Sequence, residues 1–243
     1  MENRIEVPRA GWYNPGGLSR TTEEMRMDVK HAAWVRARLR PRMGRRMAGL
    51  LLSILVMGLC VAVFKLTGVG TSPCSCMNLG ISRRLGISFG TWQLMLNTAL
   101  LLIVLRFAPE KISIGTLVNM VLVGYIAELF MHLLGGLIPP EGLPALTLAV
   151  VFALTLAAYL VSASIYLAVD LGCAPYDAVP MIIAAHTGRV SYRAVRMAWD
   201  IGSLSIGFAL GETVGIATLI TGFCLGPAIT AVGARVRGWF EDA

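Results

Sequence analysis

Asp177, Arg196 and Asp200 are the residues of this chain whose types and spacing most invite chemistry. Arg196 and Asp200 stand four apart, so on a helix they share a face and can pair. With Ser191 opening that helix, Asp200 lies about 13 Å along it at a rise of about 1.5 Å per residue, near the middle of a bilayer. A carboxylate at that depth is costly without a partner and marks a solute or ion pathway, although a purely structural ion pair reads the same way. Asp177 falls in the first turn after Pro175, where it either caps free backbone N–H groups or serves as a ligand for a solute or cation. Gln93 and Asn97 are the polar counterparts of Arg196 and Asp200 earlier in the chain. A second set, Tyr125, Glu128 and His132, has spacings of three and four and so shares a helix face. An intramembrane carboxylate one turn from an imidazole suits a proton relay, while a helix end meeting water has the same look.

The elements that must position these groups are two interrupted segments. Gly172 and Pro175 break the chain before a short apolar run, Tyr176 to Ala185, which is too brief to cross a bilayer where roughly 20 residues are needed. The stretch from Gly68 to Asn97 has the same plan: Gly70 and Pro73, a short segment, a glycine turn, then a long helix with polar residues. Paired interruptions in two halves of a chain point to a transporter binding site, with Pro73, Pro175 and Gly172 at its edge. Irregular backbone at that depth must be buried in protein or line a wet cavity. The helix start after each proline presents N–H groups and a partial positive charge suited to an anion or carboxylate. The first break has no acid in its first turn.

Composition fixes the solvent: 56% of residues are apolar, 14% are charged and mean hydropathy is +0.70, the profile of a membrane protein. Met47–Phe64, Leu85–Leu105, Ile112–Ile138, Leu143–Val169, Ser191–Gly211 and Thr213–Ala234 are long enough to span. We therefore expect an all-α membrane protein with six transmembrane helices and two re-entrant half-helices. No cleavable signal sequence is evident before the first span. The organisation is a basic tail at 1–46, a first membrane repeat at 47–138, a second at 139–237 and a short end at 238–243. Six arginines between Arg36 and Arg46 account for most of the net charge of +7 and read as a positive-inside signal touching anionic headgroups rather than nucleic acid. With both termini cytoplasmic, Arg106, Lys111, Arg189, Arg193, Arg235 and Arg237 fall inside, and Glu141 and Glu212 outside. Lys65, Arg83 and Arg84 are the exceptions to the rule. Eight spans would move the arginine pair inside but push Arg106 and Lys111 out.

The repeat holds residue by residue. At an offset of 102, Gly70, Pro73, Gly86, Thr116, Leu117 and Gly124 match Gly172, Pro175, Gly188, Thr218, Leu219 and Gly226; at 103, Ser88, Gln93 and Asn97 match Ser191, Arg196 and Asp200. Three spanning helices per unit force the second copy to enter from the opposite face. The copies are then inverted about a pseudo-two-fold axis in the membrane plane.

DLGCAPYDAVP, the arginine-bearing helix after it and GIATLITGFCLGPAI resemble the second half of the YczE/YyaS/YitT family of bacterial integral membrane proteins, and SIGTLVNMVLVGYI resembles the same pattern in the first half. The resemblance covers roughly residues 47–236 and departs from the family's LGxxPxD-type motif at PCSC, where no acid follows Pro73. It implies a bacterial cytoplasmic-membrane location and little about activity.

Cys74, Cys76 and Cys173 lie at the two breaks, but without a metal-ligand spacing they read as small residues for tight turns, so no metal is assigned. Cys60 and Cys224 complete an odd count. The pair Gly222 and Gly226 suits close helix approach, and Trp92 and Trp199 suit either ligand stacking or packing. No nucleotide-binding, hydrolase or metalloprotease signature is present, and no enzyme activity or cofactor is expected. The resulting expectation is a secondary-transporter-like protein moving a small polar or charged solute by alternating access, with Glu128 and His132 as candidate proton carriers. The alternative is a non-transporting scaffold or regulator that binds a partner protein. A homodimer is compatible with either.

Overall fold

A computed structural model describes residues 43–139, 142–188 and 190–222. Most of the basic tail, Glu141, Arg189, Cys224, Gly226, Arg235, Arg237 and the end at 238–243 lie outside the described residues.

Helix α1 is Met43–Leu66, α2 Pro73–Leu85, α3 Phe89–Phe107, α4 Ile114–Leu134, α5 Ala145–Ala168, α6 Pro175–Thr187 and α7 Tyr192–Ala209. A last helix, α8, opens at 216 and is described to 222. Among the described residues there is no strand. Four helices, α1, α3, α4 and α5, are long and apolar enough to cross a membrane. Their outward faces carry large apolar side chains such as Leu102, Leu146 and Leu154, each at least 65% exposed, which suits a lipid solvent.

Local chemistry sets the boundaries. Pro73 and Pro175 stand at the first helical position of α2 and α6, where a missing N–H costs nothing. Both helices end on a left-handed glycine, Gly86 at φ 68° and Gly188 at φ 63°. Ser88 and Ser191 then cap α3 and α7, accepting from Thr91 N and Ala194 N at 3.2 and 3.3 Å. The turn is one residue longer in the second half of the chain, which accounts for the shift from an offset of 102 to one of 103. These signals correct the expected spans. Leu85 ends α2 rather than opening α3, α4 stops at Leu134 because Gly135 caps it, and α8 starts three residues after Thr213. Residues on both sides of Tyr176–Ala185 join α6, which continues through Pro180.

The packing exchanges parts between the two halves. Helix α1 packs on α4 and α5, but α2 packs on α7, and α6 packs on both α3 and α7. Gly58 lets α1 approach α4, since a Cβ there would come within 2.5 Å of Ile126. Gly207 does the same for α7, where a Cβ would lie 2.7 Å from the Cys76 carbonyl carbon. Small residues at crossings are how membrane helices gain close van der Waals contact. One buried cluster, with Met77, Leu100, Val104, Tyr176, Val179 and Ile182, joins α2, α3 and α6 in a shared core.

Candidate functional site

Each break is held by a helix start from the other half. Gly115 N donates to Leu171 O at 2.9 Å, and Ala217 N donates to Val69 O at 3.1 Å; adding 102 to Gly115 and subtracting it from Leu171 turns one contact into the other. Gly172 and Gly70 follow at φ 94° and 92°, conformations open to glycine at little cost. Their missing Cβ atoms would lie 2.5 and 2.4 Å from Thr116 Oγ1 and Thr218 Oγ1. Those hydroxyls accept from Ser113 N and Gly215 N at 3.2 and 3.4 Å. Two chain segments thus meet at each of two matching junctions.

Beside the second junction the predicted charged residues come together. Arg196 bridges α7 to α6: its Nε donates to Asp200 Oδ2 at 2.9 Å and its Nη1 to Asp177 Oδ1 at 2.6 Å. The guanidinium carbon stands 5.4 Å from the Tyr176 ring centre, within cation–π reach. The Tyr176 hydroxyl is 3.0 Å from Asp200 Oδ1 and 2.8 Å from Ser203 Oγ, so Asp200 is tied by both Arg196 and Tyr176. The Trp199 ring stands 5.7 Å from the Tyr176 ring, giving this tryptophan a packing partner inside the protein. Exposure falls across the cluster, with 34% of the Asp177 side chain exposed, 24% of Arg196 and 9% of Asp200. Asp177 makes an ion pair with Arg196 across the helix pair, which is neither of the two roles open to it from sequence, the N-terminal cap and the ligand.

The first-half counterparts form no such cluster. Gln93 and Asn97 are buried on α3; Asn97 Nδ2 donates to Gln93 O at 3.0 Å, while among the described residues its Oδ1 has no hydrogen-bond partner. Trp92 Nε1 donates instead to Asn78 Oδ1 at 3.1 Å, joining α3 to α2. Pro73 reaches the charged side of the molecule through a small cavity of about 10 Å³ that it lines together with Asp200, Thr218 and Gly222. That is room for about one water.

Glu128 and His132 stand apart from the Arg196 cluster, on α4. Glu128 Oε2 accepts from Gly90 N at 3.2 Å, in the first turn of α3, where a carboxylate complements the helix dipole. Among the described residues no hydrogen bond or ion pair joins Glu128 to His132, which is exposed.

Sequence reasoning missed Tyr176, Ser203 and a second ionic cluster. Tyr176 had a signal in its place between Pro175 and Asp177, and Ser203 in being three residues beyond Asp200. In the second cluster Glu212, its side chain 3% exposed, pairs with Lys65 and, at 3.2 Å, with Arg83 Nη1. Arg83 Nη2 also donates to Leu210 O at 2.8 Å, on the carbonyl end of α7. Lys65 and Arg83 were two of the three cations that disagreed with positive-inside placement; here they share one carboxylate.

A family described as "Family of unknown function (DUF6198)" matches residues 44–233. The chain is 25% identical over 158 residues to "Uncharacterized membrane protein YczE" of Bacillus subtilis (strain 168), covering 65% of this chain and 71% of that one. It is 23% identical over 175 residues to "Uncharacterized protein YyaS" of the same organism, covering 72% and 85%. A Haemophilus influenzae protein called "Uncharacterized protein" is 23% identical over 201 residues, covering 83% and 89%. No solved structure matches the chain.

Proposed function

We propose, from the premise that the chain belongs to the DUF6198 family, that this membrane protein moves a small polar or charged solute through a midplane site built on two broken helices. The observation that carries the reading is the exchanged pair of backbone contacts, Gly115 with Leu171 and Ala217 with Val69. A duplicated unit whose copies clasp each other's breaks is the architecture of inverted-repeat transporters. At 13 residues each, α2 and α6 are about 20 Å long, short of a hydrocarbon core of about 30 Å, and suit re-entrant pieces. On this reading α7 and the helix opening at 216 are the fifth and sixth spans. The charged face of α7 is tolerated because Asp200 and Arg196 are paired with α6 rather than turned to lipid.

Glu212 offsets one of the two positive charges of Lys65 and Arg83, which on this reading lets the pair sit at the outer face, with both termini on the cytoplasmic side of a bacterial cytoplasmic membrane. The cavity at Pro73 and Asp200 is small because the fold is closed there; alternating access opens it by moving one unit against the other. The same tight centre also favours a second reading, a scaffold that binds a partner protein and transports nothing.

Topology and flux separate them. Single cysteines at positions 68 and 211 should label from outside, and one at 188 from inside. In proteoliposomes loaded with a panel of amino acids, amines and small carboxylates, Asp200→Asn should insert normally and lose flux. Labelling of 68 and 188 from the same side ends the inverted topology, and no flux of any solute in the panel leaves the scaffold.

A further inference from the structure

We infer that the solute taken by the Arg196 cluster is a small organic cation bearing N–H donors, and that the Arg196 guanidinium is its built-in competitor. The inference rests on the transport reading and names its substrate class. Two carboxylates, Asp177 and Asp200, face one guanidinium, and among the described residues no second basic side chain is ion-paired with either of them. The cluster therefore carries a formal excess of one negative charge beside a largely apolar core, a costly state that one added cation relieves.

The surroundings of Arg196 describe what such a cation needs. It has a carboxylate oxygen at 2.6 Å on one side and another at 2.9 Å on the other, with the Tyr176 ring face 5.4 Å from its charged carbon. Acidic groups flanking an aromatic face select amines and guanidines over carboxylates and inorganic anions. The arrangement is graded as well. Asp177, the more exposed acid, receives an incoming cation, and Asp200, deeper and lining the one-water cavity at Pro73, takes one of its N–H donors once that cavity widens. Arg196 reaches both acids from one side chain, so a free cation on Asp200 leaves Arg196 bound to Asp177 alone. The helix pair stays joined while the site fills.

The sign of the Arg196 effect separates this from an anion site. A guanidinium that itself binds solute is needed for binding; one that competes with solute obstructs it. The test is equilibrium binding, by calorimetry and thermal shift, of methylguanidinium and methylammonium to the full chain in detergent, with acetate and matched sodium chloride as controls. Wild type should bind at least one of the organic cations above the sodium control. Asp200→Asn should weaken that binding at least tenfold, and Arg196→Gln should tighten it at least tenfold. Arg196→Lys, which keeps the charge but loses the planar fork, should tighten it less and supplies the comparison should the glutamine variant not fold. No cation binding to wild type, binding that survives Asp200→Asn, loss of binding in Arg196→Gln, or binding of acetate in place of the cations each overturns the proposal. Cation binding without flux in proteoliposomes would sink transport and leave the cation site standing; flux of an anion with no cation binding would do the reverse.

Discussion

Replacing Gly70 or Gly172 with alanine tests the paired junctions directly. At Gly70, φ is 92° and an added Cβ would sit 2.4 Å from Thr218 Oγ1, 2.5 Å from Gly215 N and 2.9 Å from Gly215 Cα. At Gly172, φ is 94° and the same atom would meet Thr116 Oγ1 at 2.5 Å and Ser113 N at 2.9 Å. The left-handed backbone costs an L-residue about 1–2 kcal/mol. Overpacking adds about 1–3 kcal/mol, because backbone cannot step aside as the tip of a long side chain can. Each variant should therefore lose about 2–5 kcal/mol, a large share of a total stability of about 5–15 kcal/mol. Gly68 separates the two contributions: its φ is 68° but nothing lies within 4 Å of its Cβ position, so Gly68→Ala should show the backbone cost alone. Reversible unfolding of the purified protein in mixed micelles, followed by tryptophan fluorescence, reads all three. Thr218→Ala should not rescue Gly70→Ala, since the contacts to Gly215 backbone remain. Gly70→Ala as mild as Gly68→Ala would refute the clash, and a severe Gly70→Ala beside a harmless Gly172→Ala would refute the equivalence of the junctions.

Glu212→Gln should destabilise the fold by about 1–3 kcal/mol, toward the low end because Lys65 and Arg83 are partly exposed and can regain water; adding Lys65→Met should recover part of the loss in the same unfolding assay. Tyr176→Phe removes the hydroxyl shared by Asp200 and Ser203 and should cost about 1.5–3 kcal/mol, the range for a hydrogen bond to a charged group. A smaller loss than that of a surface substitution would show Asp200 to be satisfied by Arg196 alone. Gly207→Val should prevent ordered assembly of α2 against α7, because its Cβ would meet Cys76 backbone at 2.7 and 2.8 Å. Gly202→Ala, on the same helix with nothing within 4 Å, should be neutral or gain up to about 1 kcal/mol from helix propensity. Melting temperatures in one detergent compare the two.

The prolines, glycines and serines that punctuate the two halves were readable in sequence because they act on their own backbone: Pro73 and Pro175 open helices, Gly86 and Gly188 close them, and Ser88 and Ser191 start the next. The pairing of Arg196 with Asp200 was readable for a similar reason, being four residues apart on one helix. Apolar content alone fixed the membrane as solvent. The reach of Arg196 to Asp177, the phenol of Tyr176 on Asp200 and the clasp of Lys65 and Arg83 on Glu212 were decided by the tertiary structure. So was the employment of Glu128 at the start of α3 rather than beside His132. These contacts join groups 19 to 147 residues apart in the chain, and periodicity carries no information at that range. Which carboxylate a buried cation meets depends on how the helices cross, and glycine-sized gaps such as those at Gly58, Gly124 and Gly207 set those crossings only once the partner surface is present.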